Sequence, residues 1–296
     1  MQLNTIYNEN CLDTMAKMPN EFIDLVVTSP PYDNLRHYKG YSFPFEDIAK
    51  ELTRVLKQGG VIVWVVNDAT IDGSETLTSA KQKIYFREQC NLRIHDTMIF
   101  KKKNPMVQTH NRYEQCWEYM FVFSKGKPKT FNPIMEKTVY PGVTKKMHLN
   151  NKASLEKSQV TRQRNENVIV KDEKIRTNIF EYAVGIEPEE ETGSHPAIFP
   201  LLLAKEQIYS WSNEGDLVYD CFGGSGTTAK AAHAGRRNWI LSEISETYTA
   251  EATKVLNGKL AQTFFSFSFL LIFFFKIVGS TINVICLLLC LNTTPS

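Results

Sequence analysis

The strongest constraint on the fold is an order of elements that occurs twice along the 296 residues of the chain. In the first half, Phe22–Thr28 is a β-branched apolar run, which predicts a buried strand that ends at two prolines. Apolar residues then recur at helical spacing over Phe45–Leu56, and Val61–Val66 is a second apolar run after a glycine turn. Leu92–Phe100 and Glu118–Phe123 predict two further strands. Strand, helix and strand in this order predict a βαβ unit.

The second half repeats this order. The predicted elements are a helix over Ala197–Ser210, a strand over Leu217–Tyr219, a helix over Thr227–Ala234, a strand over Trp239–Leu241 and a closing helix over Tyr248–Leu256. Alternation in both halves predicts an α/β fold with a mainly parallel sheet flanked by helices. In such folds, ligands bind at the carboxyl ends of the strands.

A glycine-rich segment, residues 221–226, joins strand to helix in the second unit, and we call it the glycine loop. Asp220 precedes it, and Gly223, Gly224 and Gly226 permit tight turning and close approach of the backbone to a ligand. Glu243 ends the next predicted strand, at the position where a ribose diol is held in nucleotide folds. The spacing is neither the Gly-x-Gly-x-x-Gly of dinucleotide sites nor the Gly-Lys-Ser/Thr of triphosphate sites. By itself, the loop is also consistent with a simple tight turn.

A second motif, Ser29-Pro30-Pro31-Tyr32, follows the first predicted strand, and we call it the proline loop. Two prolines make it stiff. The Ser29 hydroxyl and the Pro30 carbonyl are hydrogen-bond acceptors, and the Tyr32 ring can stack on a flat group. In isolation, the motif is equally consistent with a proline-rich turn.

Taken together, these motifs resemble those of the bacterial and phage N4-cytosine/N6-adenine DNA methylase family. Residues 220–228 read Asp-Cys-Phe-Gly-Gly-Ser-Gly-Thr-Thr against the family pattern Asp-Pro-Phe-x-Gly-Ser-Gly-Thr-Thr, so that Cys221 replaces the usual proline. The segment 195–200, His-Pro-Ala-Ile-Phe-Pro, resembles the one that the family places before this loop. Downstream, Glu243 and Tyr248 match an acidic residue and a tyrosine of the family.

The resemblance covers residues 1–260 and implies a Rossmann-like, S-adenosylmethionine-dependent methyltransferase fold without a metal. It implies a set of residues that bind S-adenosylmethionine: Asp220, Phe222, Gly224, Ser225, Gly226, Thr227, Glu243 and Phe199. A charged side chain at Gly226 is expected to fill the cofactor site.

The resemblance also implies that Ser29, Pro30, Pro31 and Tyr32 are catalytic. The lone pair of an exocyclic amino group is delocalised into its base, and acceptors that hold the amino hydrogens favour a pyramidal nitrogen that can attack a methyl group. The base must leave the duplex to be reached, and Tyr32 would stack on it. Family members with Ser-Pro-Pro-Tyr more often modify cytosine N4, and those with Asp-Pro-Pro-Tyr adenine N6. The motif therefore favours cytosine N4 and leaves adenine N6 open.

The proline loop precedes the glycine loop, as in the permuted β group of the family, and this order implies that residues 125–192 are a loop-rich target-recognition insertion. Residues 125–176 carry ten Lys and three Arg against four Glu and one Asp, a net charge of +8, which suits double-stranded DNA. The candidate DNA contacts are Lys101, Lys102, Lys145, Lys146, Arg162 and Arg164. Each of them is, on its own, also consistent with a plain surface residue.

The predicted organisation is a catalytic half over 1–124, the insertion over 125–192, a cofactor-binding half over 193–262 and a hydrophobic tail over 263–296. The tail is long enough for a bilayer, which takes about 20 apolar residues. Its abrupt change of composition favours a segment foreign to the domain, so a membrane is a partner only if the tail is genuine. Six cysteines without metal-site spacing and the lack of a secretory signal predict a reduced cytoplasmic protein.

Two other functions remain open on sequence grounds. An RNA or protein-glutamine N-methyltransferase also uses a proline loop of this kind, but usually after the cofactor loop. An inactive DNA-binding relative would have lost residues that this chain retains. A cognate restriction nuclease is a further candidate partner.

Overall fold

The structure is a computed structural model and describes residues 1–31, 43–105, 111–150, 163–184 and 200–256, with the backbone alone for 145–150 and 163–168. Several predicted features lie outside these residues: Tyr32, Phe199, Arg162 and the tail 263–296.

Six helices alternate with short and long strands along the described residues. The helices are α1 (Cys11–Ala16), α2 (Phe45–Val55), α3 (Thr78–Glu88), α4 (Leu201–Trp211), α5 (Thr227–Ala234) and α6 (246–256). The strands are β1 (Thr5–Tyr7), β2 (Ile23–Thr28), β3 (Leu56–Val66), β4 (Thr70–Ile71), β5 (Ser74–Glu75), β6 (Arg93–Lys102), β7 (Trp117–Ser124), β8 (Met135–Lys137), β9 (Thr144–Asn150), β10 (Gln163–Ile169), β11 (Glu173–Ile175), β12 (Ile179–Tyr182), β13 (Leu217–Asp220) and β14 (Asn238–Ser242). Each predicted strand and helix has a counterpart here whose ends differ by at most two residues, except that β3 begins five residues early and that residues 197–199 of the predicted helix that corresponds to α4 lie outside the described residues.

In the part of the chain that the structure describes, eight strands form one sheet in the order β1-β14-β13-β2-β3-β7-β6-β12, beside three two-stranded pairs. Among the described strands of this sheet, neighbours run parallel except where β7 lies antiparallel to both β3 and β6. The prediction of a mainly parallel sheet is confirmed. The carboxyl ends of β1, β14, β13, β2 and β3 consequently meet at one edge, where parallel sheets bind ligands.

Helices cover both faces of this sheet, so it has an apolar core on each side. On one face, α4 and α5 contribute residues such as Leu203 and Ala231. On the other face, α1, α2 and α3 contribute Met15, Leu52 and Phe86. The central strand β2 is buried at every position, as its nearly unbroken apolar run requires in a sheet that is covered on both sides.

The glycine turn predicted after α2 lies inside a strand. β3 begins at Leu56 rather than Val61, and its pairing with β2 shifts register at this point. Gly59 has a φ of +76°, and its N–H donates to the Lys125 carbonyl oxygen at 2.7 Å. A Cβ at this position would lie 2.8 Å from Cβ of Lys129. Because the segment after β7 supplies hydrogen bonds here, the glycine pair forms a bulge and the strand is continuous.

The region predicted to be a loop-rich insertion differs from that expectation, since it contributes strand β12 to the large sheet. β12 lies parallel to β6 at the sheet edge, with Phe180 and Tyr182 buried and Ile179 and Glu181 exposed. The Tyr182 hydroxyl donates to the Glu206 carboxylate of α4, and Arg176 forms an ion pair with the same carboxylate at 2.9 Å. A strand of four residues is too short to stand out from its polar surroundings.

Within the described residues, no helix has both the length and the apolar character to cross a membrane. The same residues contain no group of three His, Cys, Asp or Glu side chains arranged to hold a metal ion. The apolar tail is outside them, so its predicted origin stays a prediction.

Candidate active site

The two sequence motifs come together at the carboxyl edge of the sheet. The proline loop follows β2 and the glycine loop follows β13, and these strands are parallel neighbours with Val26 beside Tyr219. Ser29 and Pro31 are half-buried and Pro30 is buried. Motifs that are far apart in sequence therefore begin side by side, as the predicted topology requires.

Asp220 joins the two loops through a buried carboxylate. Its Oδ1 accepts a hydrogen bond from the Thr28 hydroxyl at 2.6 Å and another from the Phe222 N–H at 3.0 Å. Its Oδ2 accepts one from the Thr228 hydroxyl at 2.7 Å. Burial raises the pKa of Asp220, and these donors offset part of the rise because they stabilise the charged form. The carboxylate thus points into the protein, where it holds both loops.

Gly226 packs closely against helix α6 and has a left-handed backbone conformation. It has a φ of +80°, and its N–H donates to the Gly223 carbonyl oxygen at 2.8 Å. A Cβ at position 226 would lie 3.1 Å from Cβ of Ala252 and 3.6 Å from Cδ1 of Leu256, both on α6. The Cβ of any side chain here would therefore meet α6, and the expectation that a charged side chain fills the cofactor site stays a prediction.

Glu243 lies directly after β14 and holds the glycine loop from the other side. Its Oε2 accepts from the Gly224 N–H and its Oε1 from the Ser245 N–H, each at 2.8 Å. The Asn8 side-chain amide donates to its carbonyl oxygen at 2.8 Å. Burial raises the pKa of Glu243, partly offset by the backbone N–H donors. Each carboxylate oxygen has a second lone pair, so Glu243 can also accept hydroxyl groups of a ligand.

Phe222 connects the glycine loop to aromatic side chains of the first half. Its ring meets the ring of Phe43 edge to face, with centroids 5.7 Å apart, and that of Trp64 at 6.5 Å. Such tilted contacts are a favoured geometry of aromatic pairs. Phe43 lies just before α2, so the chain contacts the glycine loop where it enters this helix.

The candidate DNA-binding lysines of β6 lie at the same edge of the sheet, because β6 runs in the direction of β3. Lys102 Nζ is 2.6 Å from Oε1 of the largely buried Glu118, and Lys101 Nζ is 3.2 Å from Oε1 of Glu181. Both charges therefore have protein partners, which reduces what they can offer a phosphate. Three further candidates lie on the hairpin of β9 and β10, whose backbone alone is described at these positions: Lys145, Lys146 and Arg164.

Three residues of this site were not singled out as functional by sequence reasoning: Thr28, Thr228 and Phe43. Two of them carry a signal in hindsight, since Thr28 and Thr228 border the two motifs and offer short hydroxyl donors. Phe43 carries none, because its contact with Phe222 depends on how the chain returns to the sheet.

The match to known proteins agrees with this geometry. The sequence profile of the N6/N4 DNA methylase family matches residues 23–254, which include both loops and the insertion between them. The chain belongs to the DNA methylase family. A relative of this DNA methylase, the orphan methyltransferase M.BamHII of Bacillus amyloliquefaciens, is 48% identical over 241 residues, which are 80% of this chain and 89% of the relative.

Solved structures share the fold of this DNA methylase. The PvuII DNA methyltransferase, described as cytosine-N4-specific, has a TM-score of 0.63 at 21% identity and covers 84% of each chain. The M1.HpyAVI–SAM complex has a TM-score of 0.56 at 23% identity, covering 86% of this chain and 98% of that one. The predicted methyltransferase fold is thereby confirmed.

Proposed function

We propose that this DNA methylase transfers a methyl group from S-adenosylmethionine to the exocyclic N4 of a cytosine that has been flipped out of double-stranded DNA. The observation that carries the proposal is the hydrogen bond between Thr28 and Asp220. It joins the start of the proline loop to the start of the glycine loop, so that a base held by one would lie beside a cofactor held by the other.

The described residues fit S-adenosylmethionine, which would supply an electrophilic methyl group on its sulfonium. Glu243 retains lone pairs for a ribose diol while it holds the glycine loop. The Ser225 and Thr227 hydroxyls lie 3.3 Å apart at the start of α5, where polar groups of a ligand can be bound. We assign these contacts to the ribose and the amino-acid part of the cofactor, with Phe222 and Phe199 as apolar walls.

The proline loop supplies acceptors for the target amino group. We assign this role to the Ser29 hydroxyl and the Pro30 carbonyl, and the stacking of the base to Tyr32. Two acceptors that hold the amino hydrogens stabilise the nitrogen as its lone pair turns toward the methyl group, an interaction that is strongest in the transition state. The reaction needs no covalent intermediate, and positioning supplies most of the catalysis.

We assign target recognition to residues 125–192, on the support of their position between the loops and of the net charge of +8 over 125–176. The hairpin of β9 and β10 carries a candidate cation on each of its strands, which suits contacts to phosphates and base edges. The cysteine pattern supports an intracellular site of action.

The test is methyl transfer by the full chain to DNA of mixed sequence, followed by mass analysis of the nucleosides. N4-methylcytosine is the expected product. N6-methyladenine would keep the reaction class and correct the base. If neither forms although S-adenosylmethionine binds, the DNA proposal fails, and RNA and a glutamine-containing peptide become the substrates to assay.

A further inference from the structure

We propose that Thr28 and Phe43 are positioning residues that fix the proline loop against the glycine loop and so set the distance between target base and methyl donor. The proposal rests on the proposed function, because it concerns the same site. Neither side chain is assigned to base or cofactor. Both contact the turn formed by residues 220–222.

The first anchor is the bond from Thr28 to Asp220. Thr28 is only 1% exposed and Asp220 only 6%, so the contact at 2.6 Å is sheltered from water. A hydrogen bond to a carboxylate in such surroundings is short and directional. The Cys221 Sγ lies 3.7 Å from the same hydroxyl and adds a second contact. The residue after Thr28 is Ser29, so any movement at this anchor passes directly to the catalytic hydroxyl.

The second anchor is the ring of Phe43 against the ring of Phe222, 5.7 Å away. Phe222 also donates its N–H to Asp220 at 3.0 Å. The turn of residues 220–222 therefore contacts the chain at two places, at the end of β2 and just before α2. Two anchors on one turn restrict the proline loop more than either would alone.

The two anchors should act on the chemical step more than on cofactor binding. A misplacement of about 1 Å costs on the order of 10²-fold in rate when two reacting groups must be aligned. The proposed cofactor contacts of Glu243, Ser225 and Thr227 do not involve Thr28 or Phe43. Loss of the Thr28 anchor is therefore expected to lower kcat while the affinity for S-adenosylmethionine changes little. Loss of Phe43 is expected to lower kcat and to change this affinity moderately as well, because its ring packs on Phe222, a proposed wall of the cofactor site.

The first experiment compares Thr28→Val, Thr28→Ser and Thr228→Val in the full chain. It measures kcat, the KM and Kd for S-adenosylmethionine, and Tm. Thr28→Val should lower kcat by about tenfold or more with Kd within about threefold of wild type, and Thr28→Ser should restore most of the loss. Thr228→Val removes the other hydroxyl from the same carboxylate. It is the matched control and should lower kcat much less.

The second experiment compares Phe43→Leu with Phe22→Leu, and it decides the question if Thr28→Val does not fold. Both rings are half-buried, but Phe22 lies just before β2, at the opposite edge of the sheet from the glycine loop, where its N–H donates to the Val55 carbonyl oxygen. Phe43→Leu should lower kcat several-fold, whereas Phe22→Leu should keep it within about twofold.

The outcomes separate this proposal from the proposed function. Methylated DNA with wild-type protein upholds the function whatever the variants do. Wild-type kcat in Thr28→Val or in Phe43→Leu, or equal losses in each variant and its control, would overturn the positioning roles. A loss that appears entirely in the Kd for the cofactor would overturn them as well.

Discussion

Gly226 and Ala252 are in such close contact that a Cβ on residue 226 would lie 3.1 Å from the Cβ of Ala252. Gly226→Ala should therefore lower the free energy of unfolding by about 2–4 kcal/mol, from the left-handed φ together with overpacking against α6. Urea denaturation measures the change. Gly73→Ala is the matched control, since Gly73 has a φ of +76° but no atom within 4 Å of the added Cβ. Equal losses in the two variants would show that the contact with Ala252 is unimportant.

The carboxylate of Asp220 predicts losses of stability of different size for two substitutions. Asp220→Ala leaves the Thr28 and Thr228 hydroxyls and the Phe222 N–H without their acceptor and should cost about 2–4 kcal/mol. Asp220→Asn keeps an acceptor of the same shape, and burial already raises the pKa of the acid, so it should cost under about 1 kcal/mol. Thermal unfolding compares the two. A larger loss for the asparagine variant would contradict the assigned contacts.

The predicted role of Ser29 separates turnover from binding. Ser29→Ala should lower kcat on the order of 10²-fold and change DNA affinity little, because the interaction strengthens only as the amino nitrogen rehybridises. Single-turnover methylation and a DNA-binding titration, both at fixed salt, measure the two quantities. Thr5→Ala, half-buried in the edge strand β1, is the control. Unchanged turnover in the Ser29 variant would refute the assigned chemistry.

At the amino edge of the sheet, Asp24 predicts a pH dependence of stability. Burial alone would raise the pKa of Asp24, but the Leu217 N–H and the ammonium groups of Lys57 and Lys129 outweigh it and lower the pKa. The stability that this carboxylate contributes is thus present above about pH 4 and lost as the pH falls through its lower folded pKa.

Asp24→Asn should therefore lower the free energy of unfolding by about 1–3 kcal/mol at pH 7. The difference in this free energy between variant and wild type should be smaller at pH 3. Denaturant titrations at both pH values measure the difference. Glu214→Gln removes an exposed ion pair with Arg236 and should cost under about 0.5 kcal/mol at pH 7. If the difference in the free energy of unfolding between Asp24→Asn and wild type did not change with pH, ionisation of the Asp24 carboxylate would be excluded as its cause.

Cysteine chemistry gives a further test of the site. Burial raises the pKa of Cys11 to about 12 and raises that of Cys221 well above its ordinary value, so neither forms a thiolate at pH 8. N-ethylmaleimide should leave both unmodified in the folded protein and should modify the half-exposed Cys116. Peptide mass mapping reports the sites. Rapid labelling of Cys221 would show that the glycine loop opens to solvent.

Much of this fold was predictable because its strands are unusually apolar. β2 and β13 stand out as buried runs that end in polar loops, and parallel neighbours place such loops together. Helix α5 was predicted with its observed ends, since Gly226 and Gly235 border a run of small helix-forming residues.

The features of the fold and site that the sequence did not predict depend on contacts between residues that are far apart in the chain. Gly59 looks like a turn residue in sequence, and its backbone hydrogen bonds with Lys125 and Lys129 make it part of β3. The inward orientation of Asp220 and the packing of Gly226 on α6 likewise need the partners Thr28 and Ala252. A motif indicates which residues gather at a site, but the direction in which each side chain points is set by its tertiary neighbours.

The placement of β12 has a consequence for engineering new sequence preferences by transplanting segments between relatives. A graft that replaced all of 125–192 would remove an edge strand of the main sheet and the partners of Glu206 on α4. A donor segment therefore has to end before Arg176, or bring along a strand and a cation that suit the recipient. In this family member, the portion that can be exchanged is smaller than the predicted insertion, residues 125–192.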